Sequence, residues 1–113
     1  CTASGKLFLA FMPEERRDAV LKTIKLERMT EHTITDVATL QKEFTSIVKQ
    51  GYSYDRQEFI PGLIAMAVPV RDKTAQVRGA IAVHAPIARL SIEAATKHLP
   101  ALQSASQRMG ALL

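Results

Sequence analysis

Residues 63–85 read Leu63-Ile64-Ala65-Met66-Ala67-Val68-Pro69-Val70-Arg71-Asp72-Lys73-Thr74-Ala75-Gln76-Val77-Arg78-Gly79-Ala80-Ile81-Ala82-Val83-His84-Ala85. Two apolar runs of strand length, Leu63–Val70 and Val77–Ala85, flank a polar link of six residues. A parallel crossover needs a much longer connection, so the two runs form an antiparallel hairpin. Side chains alternate across a strand. One face therefore carries Ile64, Met66, Val68 and Val70 with Val77, Gly79, Ile81 and Val83. The other carries Leu63, Ala65, Ala67 and Pro69 with Arg78, Ala80, Ala82 and His84. Symmetric closure sets Ala65 opposite Ala82, Ala67 opposite Ala80, and His84 beside Leu63. The bulky face is core against helices. The alanine face has two readings, because alanine is a poor strand former and offers little area to bury. Either a helix packs very closely on it, or it is the floor of a cavity with a polar group at the rim. The pattern alone leaves both open.

Outward from the hairpin, Tyr52-Ser53-Tyr54 reads as a short strand that runs into a polar loop through Glu58. Before it, Asp36 caps a helix carrying Val37, Leu40, Phe44, Ile47 and Val48 at helical spacing, and Gly51 ends it. Residues 25–35 show no period. Pro13-Glu14-Glu15 opens an earlier helix that is expected to carry Val20, Leu21 and Ile24 inward. Leu7, Phe8, Leu9 and Phe11 form a buried helix after Ser4 and Gly5. Downstream, Ser91 caps a long helix with Ile92, Ala95, Leu99, Leu102, Ala105, Met109 and Leu112 on one stripe. Pro100 must kink or interrupt it. The pattern is mixed α/β, a sheet with helices on it.

A chain of 113 residues, 47% hydrophobic and 23% charged, is one ordinary domain. No apolar run approaches the roughly 18 residues of a membrane helix. The opening Cys1-Thr2-Ala3-Ser4-Gly5-Lys6 lacks a methionine, so the chain is expected to be part of a longer protein. A single cysteine makes no internal disulfide, which fits a reducing cytoplasm. The net charge of +4 comes from Lys and Arg scattered among Asp and Glu, not from a basic block. With no Trp and few aromatics to stack on bases, this segment by itself is not expected to read DNA. An enzyme needs a nucleophile or an acid–base pair held by a third group. Asp55 with His84 makes at most a pair, and there is no phosphate loop or nucleophile elbow. Cys1, Asp55 and His84 have no metal-ligand spacing, so no catalytic residue, cofactor or metal is expected.

Four stretches, in order and without gaps, resemble the effector-binding domain of the isocitrate lyase regulator (IclR) family of bacterial transcription regulators. They are Ala3-Ser4-Gly5-Lys6 leading to Leu9-Ala10; Gly51-Tyr52-Ser53-Tyr54-Asp55 continuing to Glu58-Phe59 and Gly62; Ala67-Val68-Pro69-Val70; and Ala85-Pro86-Ile87-Ala88-Arg89-Leu90. The resemblance implies a GAF-like α+β domain, an antiparallel sheet flanked by helices, over residues 1–113. It is expected to be incomplete at the N-terminus, with the family's opening strands and winged helix-turn-helix absent from this chain. It also implies a sensor of a small organic acid that works as a homo-oligomer, dimer or tetramer. Contact with DNA would come through the missing N-terminal domain, and no membrane is involved. The ligand contacts it implies fall on the backbone of Ala3, Ser4 and Gly5, on Asp55, and on Leu63, Ala65, Ala82 and His84.

These positions include the empty face of the hairpin, which favours the cavity reading. Amides at the start of the first helix would dock a carboxylate, unless Thr2 or Ser4 caps them. Asp55 would bond a ligand hydroxyl, or merely cap its own loop. His84 would donate to the anion, or stand exposed. Glu58 is expected to hold the loop and Arg89 to tie down the turn before the last helix. Family members that bind very small oxoacids have a cysteine and serines where this chain has Ala65, Ala82 and His84. Their loss implies a larger, partly apolar acid, an aromatic one included. The rival reading is an oligomerisation scaffold with no working pocket.

Overall fold

A computed structural model describes residues 2–113. The hairpin is its centre. Strands β1 (Ser53–Arg56), β2 (Leu63–Arg71) and β3 (Val77–Pro86) form one antiparallel sheet in the order β1-β2-β3. Ala65 lies opposite His84, Ala67 opposite Ala82, Pro69 opposite Ala80 and Leu63 opposite Pro86. That register is two residues away from symmetric closure, and two local devices produce it. Lys73-Thr74-Ala75 is a three-residue loop, closed by Asp72 N–H to Gln76 O (2.9 Å) and Ala75 N–H to Asp72 O (2.9 Å), with Ala75 left-handed at φ 66°. An odd loop displaces the pairing by one residue. A bulge follows, in which Arg71 pairs with Val77 but Val70 pairs with Gly79, and it displaces the pairing by one more. A single slip would have turned every β3 side chain to the wrong face. Two slips restore the faces, so partners change while the sides of the sheet do not.

Asp72 organises this turn. Its Oδ1 accepts from Thr74 N–H (2.8 Å), Thr74 Oγ1 (2.6 Å) and Gln76 N–H (3.1 Å). The Thr74 hydroxyl leads the donors that hold its carboxyl below the usual carboxylate range. The strain sits at Ala75, where a Cβ disfavours positive φ. Ala75→Gly is expected to raise stability by about 1 kcal/mol, read as a higher urea midpoint at unchanged slope. An equal or lower midpoint would mean that the loop carries no such strain.

Helix α1 (Ala3–Phe11) lies on the alanine face, and α3 (Val37–Gln50) packs against α1 from outside. Ala3, Leu7 and Ala10 meet Leu40, Phe44 and Ile47 on one side and Ala65 and Ala67 on the other, all buried. Asp36 caps α3 by accepting from Thr39 N–H at 3.0 Å, and Gly51 ends it at φ 85°. Val37 and Val48, on the same stripe, stay exposed because α1 covers only the middle of that face. Helix α2 (Glu14–Thr23) runs outside this layer with no buried residue. Val20 and Leu21 are half-buried, but Ile24 is exposed, contrary to the inward position its spacing gave it. The helix stops at Thr23, and Ile24 turns extended at φ −86°, ψ 149°.

The bulky face is covered by α4 (Ile92–Thr96) and α5 (Leu99–Gly110). The core there gathers Tyr54, Ile64, Met66 and Ala95, with Leu90, Ile92, Leu99 and Leu102 packed around them. Pro100 interrupts the expected long helix by sitting in the first turn of α5, where its missing N–H is not needed. The apolar stripe stays at least half-buried as far as Ala105 and then runs out into solvent at Met109 and Leu112. At the end of α5 a side chain at Gly110 would collide with the Arg71 carbonyl oxygen, so the helix closes directly onto the hairpin backbone. The architecture is α+β: a helical layer, a three-stranded sheet, and a second helical layer.

Candidate ligand-binding site

Sheet register places the sequence-derived candidates in rows. Asp55 pairs with Ala65, and Ala65 with His84, so these three cross the sheet side by side on one face. The adjacent row is Ser53, Ala67 and Ala82. Leu63 lies on the same face one row beyond, opposite Pro86. The first turn of α1 is bound to this face, since Ser53 Oγ donates to Ala3 O at 2.6 Å. The structure thus brings all eight candidates to one side of one sheet.

Their surroundings differ. Ala3, Ala65 and Ala67 are fully buried, so over the middle of the floor α1 packs directly onto alanine, as the first reading of that face has it. Ala80 and Ala82, on the side of β3, are half-buried, as are Leu63 and Ser4, and His84 is exposed. Access to the row is therefore from the β3 side. Three cavities open elsewhere. One of about 560 Å³ lies by the hairpin turn (Arg71, Lys73, Gln103), one of about 400 Å³ between the bulky face and α5 (Met66, Val83, Leu102), and one of about 370 Å³ beside Arg17 and Val48. None of the three is lined by the eight candidates.

At the start of α1, Thr2 is the cap, its Oγ1 accepting from Gly5 N–H at 3.0 Å. A Cβ on Gly5 would come within 2.9 Å of that oxygen, so glycine is what lets the cap close. The Gly5 amide is thereby occupied, whereas Ala3 and Ser4, as the first two helical residues, have no acceptor within the helix. Asp55 is 3% exposed, and its Oδ1 accepts from Glu58 N–H at 2.7 Å, so it does cap its loop. Glu58 holds the loop as expected, its Oε2 accepting from Arg56 N–H at 3.0 Å. Arg89 is exposed, and the turn is tied instead by the Arg89 and Leu90 amides donating to Pro86 O.

Two residues of this site escaped the sequence reading. Lys6 is 1% exposed, and its ammonium donates to Glu58 Oε2 at 2.9 Å and to Glu43 Oε1 at 3.1 Å. Its place beside Leu7, three and four positions from Ala3 and Ala10, was the available sign that it faces inward. Ser53 alternates with Tyr52 and Tyr54, which already puts it on the side of Asp55. Among the described residues no three His, Cys, Asp or Glu side chains come together as a metal-holding group, and Cys1 lies outside the described residues. No helix among them is long and apolar enough to cross a membrane.

Comparison with known proteins bears on what such a face is for. The chain is 36% identical over 109 residues to the probable transcriptional regulator SauR of Cupriavidus necator, covering 96% of this chain and 43% of that protein. It is 31% identical over 110 residues to the transcriptional regulator KdgR of Escherichia coli, covering 97% and 42%. The chain thus spans about two fifths of the length of these relatives. Among solved structures, the inducer-binding domain of a PobR double mutant from Acinetobacter, in complex with 3-hydroxybenzoic acid, superposes with a TM-score of 0.95 at 25% identity. That match covers 99% of this chain and 65% of the PobR chain. The C-terminal domain of Escherichia coli KdgR gives 0.87 at 31% identity, over 97% and 70%. The relatives SauR and KdgR are both named as transcriptional regulators. The family described as bacterial transcriptional regulator IclR, C-terminal, matches residues 1–111, and this chain belongs to it.

Proposed function

We propose that this chain is the effector-sensing part of a transcription regulator. An organic acid docks on the face shared by Ala3, Ser4, Gly5, Asp55, Leu63, Ala65, Ala82 and His84. Occupancy is passed to the geometry of a homo-oligomer, and from there to DNA held by a segment outside this chain. The observation that carries this reading is the row Asp55–Ala65–His84, laid across three strands beside the helix start that Ser53 ties down. An acid at the β3 side meets the free amides of the α1 start with its carboxylate. The methyl group of the half-buried Ala82 faces its apolar body, Ala65 closes the floor behind it under α1, and the exposed His84 stands at the rim. Gly5 contributes by shaping the turn, since its amide is taken. Asp55 accepts from a ligand hydroxyl with the oxygen that does not serve Glu58. The small side chains at 65 and 82 favour an aromatic acid over a two- or three-carbon oxoacid, in keeping with the 3-hydroxybenzoic acid carried by the PobR domain.

The test is a thermal-shift and calorimetric panel that includes pyruvate, benzoate and 3-hydroxybenzoate. An acid present at 100 times its dissociation constant is expected to stabilise the fold by about 2.7 kcal/mol. A flat response across the panel would count against a sensor. The rival reading, an oligomerisation scaffold, draws on the exposed Met109, Leu112 and Leu113 at the end of the chain. It requires self-association that acids do not alter, measured by sedimentation velocity.

A further inference from the structure

Helix α1 rests on a smooth floor. Where it meets the sheet, Ala3 and Ala10 lie against Ala65 and Ala67, and methyl groups give few ridges to fix a helix in place along a strand. Directional bonds set the position instead. Ser53 fixes the Ala3 carbonyl, and Lys6 runs from α1 to two carboxylates at once. Glu43 belongs to α3. Glu58 belongs to the loop after β1, is 4% exposed, and hands the connection on through its N–H to the Asp55 carboxylate. The rest of that loop is pinned from the other side, by Thr30 Oγ1 to Gln57 O and Thr33 Oγ1 to Glu58 O, both 2.5 Å. Gln57 is held there with φ at 59°.

A buried ammonium is expensive to desolvate, and an apolar side chain of the same length would fill the space as well. What methionine cannot supply is a bond with direction. We propose that Lys6 is a positioning residue. Through Glu58 it holds the Asp55 carboxylate at a fixed place relative to the first turn of α1, so that the two ends of the ligand site keep one spacing. Its bearing on ligand binding rests on the effector reading above.

Hydrogen exchange and calorimetry on the 113-residue chain, with 3-hydroxybenzoate as the probe, separate the two. In Lys6→Met the Glu58 amide, which bonds Asp55, is expected to exchange about tenfold faster or more, while the Val68 and Ile81 amides of the hairpin stay within about twofold. The dissociation constant for 3-hydroxybenzoate rises by about tenfold. Val48→Ala, exposed on α3 and outside this chain of bonds, is the control, and both readings are expected to stay within about twofold of the parent. Should Lys6→Met fail to fold for want of a counter-charge, Lys6→Met with Glu58→Gln removes a charge of each sign. It is expected to fold and still to exchange about tenfold faster at Glu58. Unchanged exchange at Glu58 in either Lys6 variant, or a rise shared equally by Val68 and Ile81, overturns the positioning role. Failure of the parent chain to bind 3-hydroxybenzoate counts against the effector reading for that probe, and the exchange result decides the role of Lys6 without it.

Discussion

Phe44→Ala is expected to lower the free energy of unfolding by about 3–5 kcal/mol. The ring is 1% exposed and lies where α3 meets α1, among Leu7, Ala10, Leu40 and Ile47. Its neighbours there are short or already packed, so they cannot move in to fill the space, and the cavity adds to the lost transfer energy. The Arg17 guanidinium stands 5.3 Å from the ring centroid while its Nη1 donates to Ala10 O at 3.2 Å, so the ring also seats the side chain that braces the end of α1. A domain of this size has roughly 5–15 kcal/mol in total, and the variant would use up a large part of it. Urea unfolding followed by circular dichroism measures the change. Val48→Ala, on the same helix but exposed, is the control and is expected to stay within about 0.5 kcal/mol. A loss at Phe44 no larger than at Val48 would mean that α3 is not what clamps α1 to the sheet.

Much of this arrangement is written locally. Helix starts at Pro13, Asp36 and Ser91, the stop at Gly51, and the break at Pro100 all follow from single residues whose backbone preferences act within one turn. The two faces of the hairpin follow from alternation. What alternation cannot give is the pairing across the strands. That depends on the left-handed Ala75, in the turn that Asp72 organises, and on the bulge between Val70 and Arg71. Burial at the ends of stripes was also out of reach. Ile24, Val37, Val48 and Met109 share the spacing of core residues but lie where no neighbouring element arrives.

The candidate site divides in the same way. Ala65, Ala82 and His84 could be placed on one face because period two carries over distance, whereas Asp55 came from the family resemblance and joins their row only through the pairing of β1 with β2. Lys6 and Ser53 could not be matched to their partners, because Lys6 pairs with residues 37 and 52 positions away and Ser53 with one 50 positions away. The family resemblance supplied the residues of the floor, and the structure shows how closely α1 sits on the middle of it.

That closeness can be measured. Ala67→Leu is expected to destabilise the chain by about 3 kcal/mol, the upper part of the usual range for overpacking. Ala67 is 0% exposed, at the centre of the row Ser53–Ala67–Ala82 and beneath α1. Three added carbons have nowhere to go unless α1 lifts. Lifting α1 would strain the Ser53–Ala3 bond of 2.6 Å and the Lys6–Glu58 pair of 2.9 Å, so the effect should spread to the Glu58 amide in hydrogen exchange. Ala82→Leu makes the contrast. On the same face but half-buried towards β3, it is expected to cost less than about 1 kcal/mol. It should nevertheless weaken acid binding by about tenfold, by filling the space through which the ligand enters. Urea unfolding and calorimetric titration of both variants measure the two effects. An Ala67→Leu chain as stable as its parent would mean that the floor under α1 is hollow, and that the ligand lies deep beneath the helix and not at its open side.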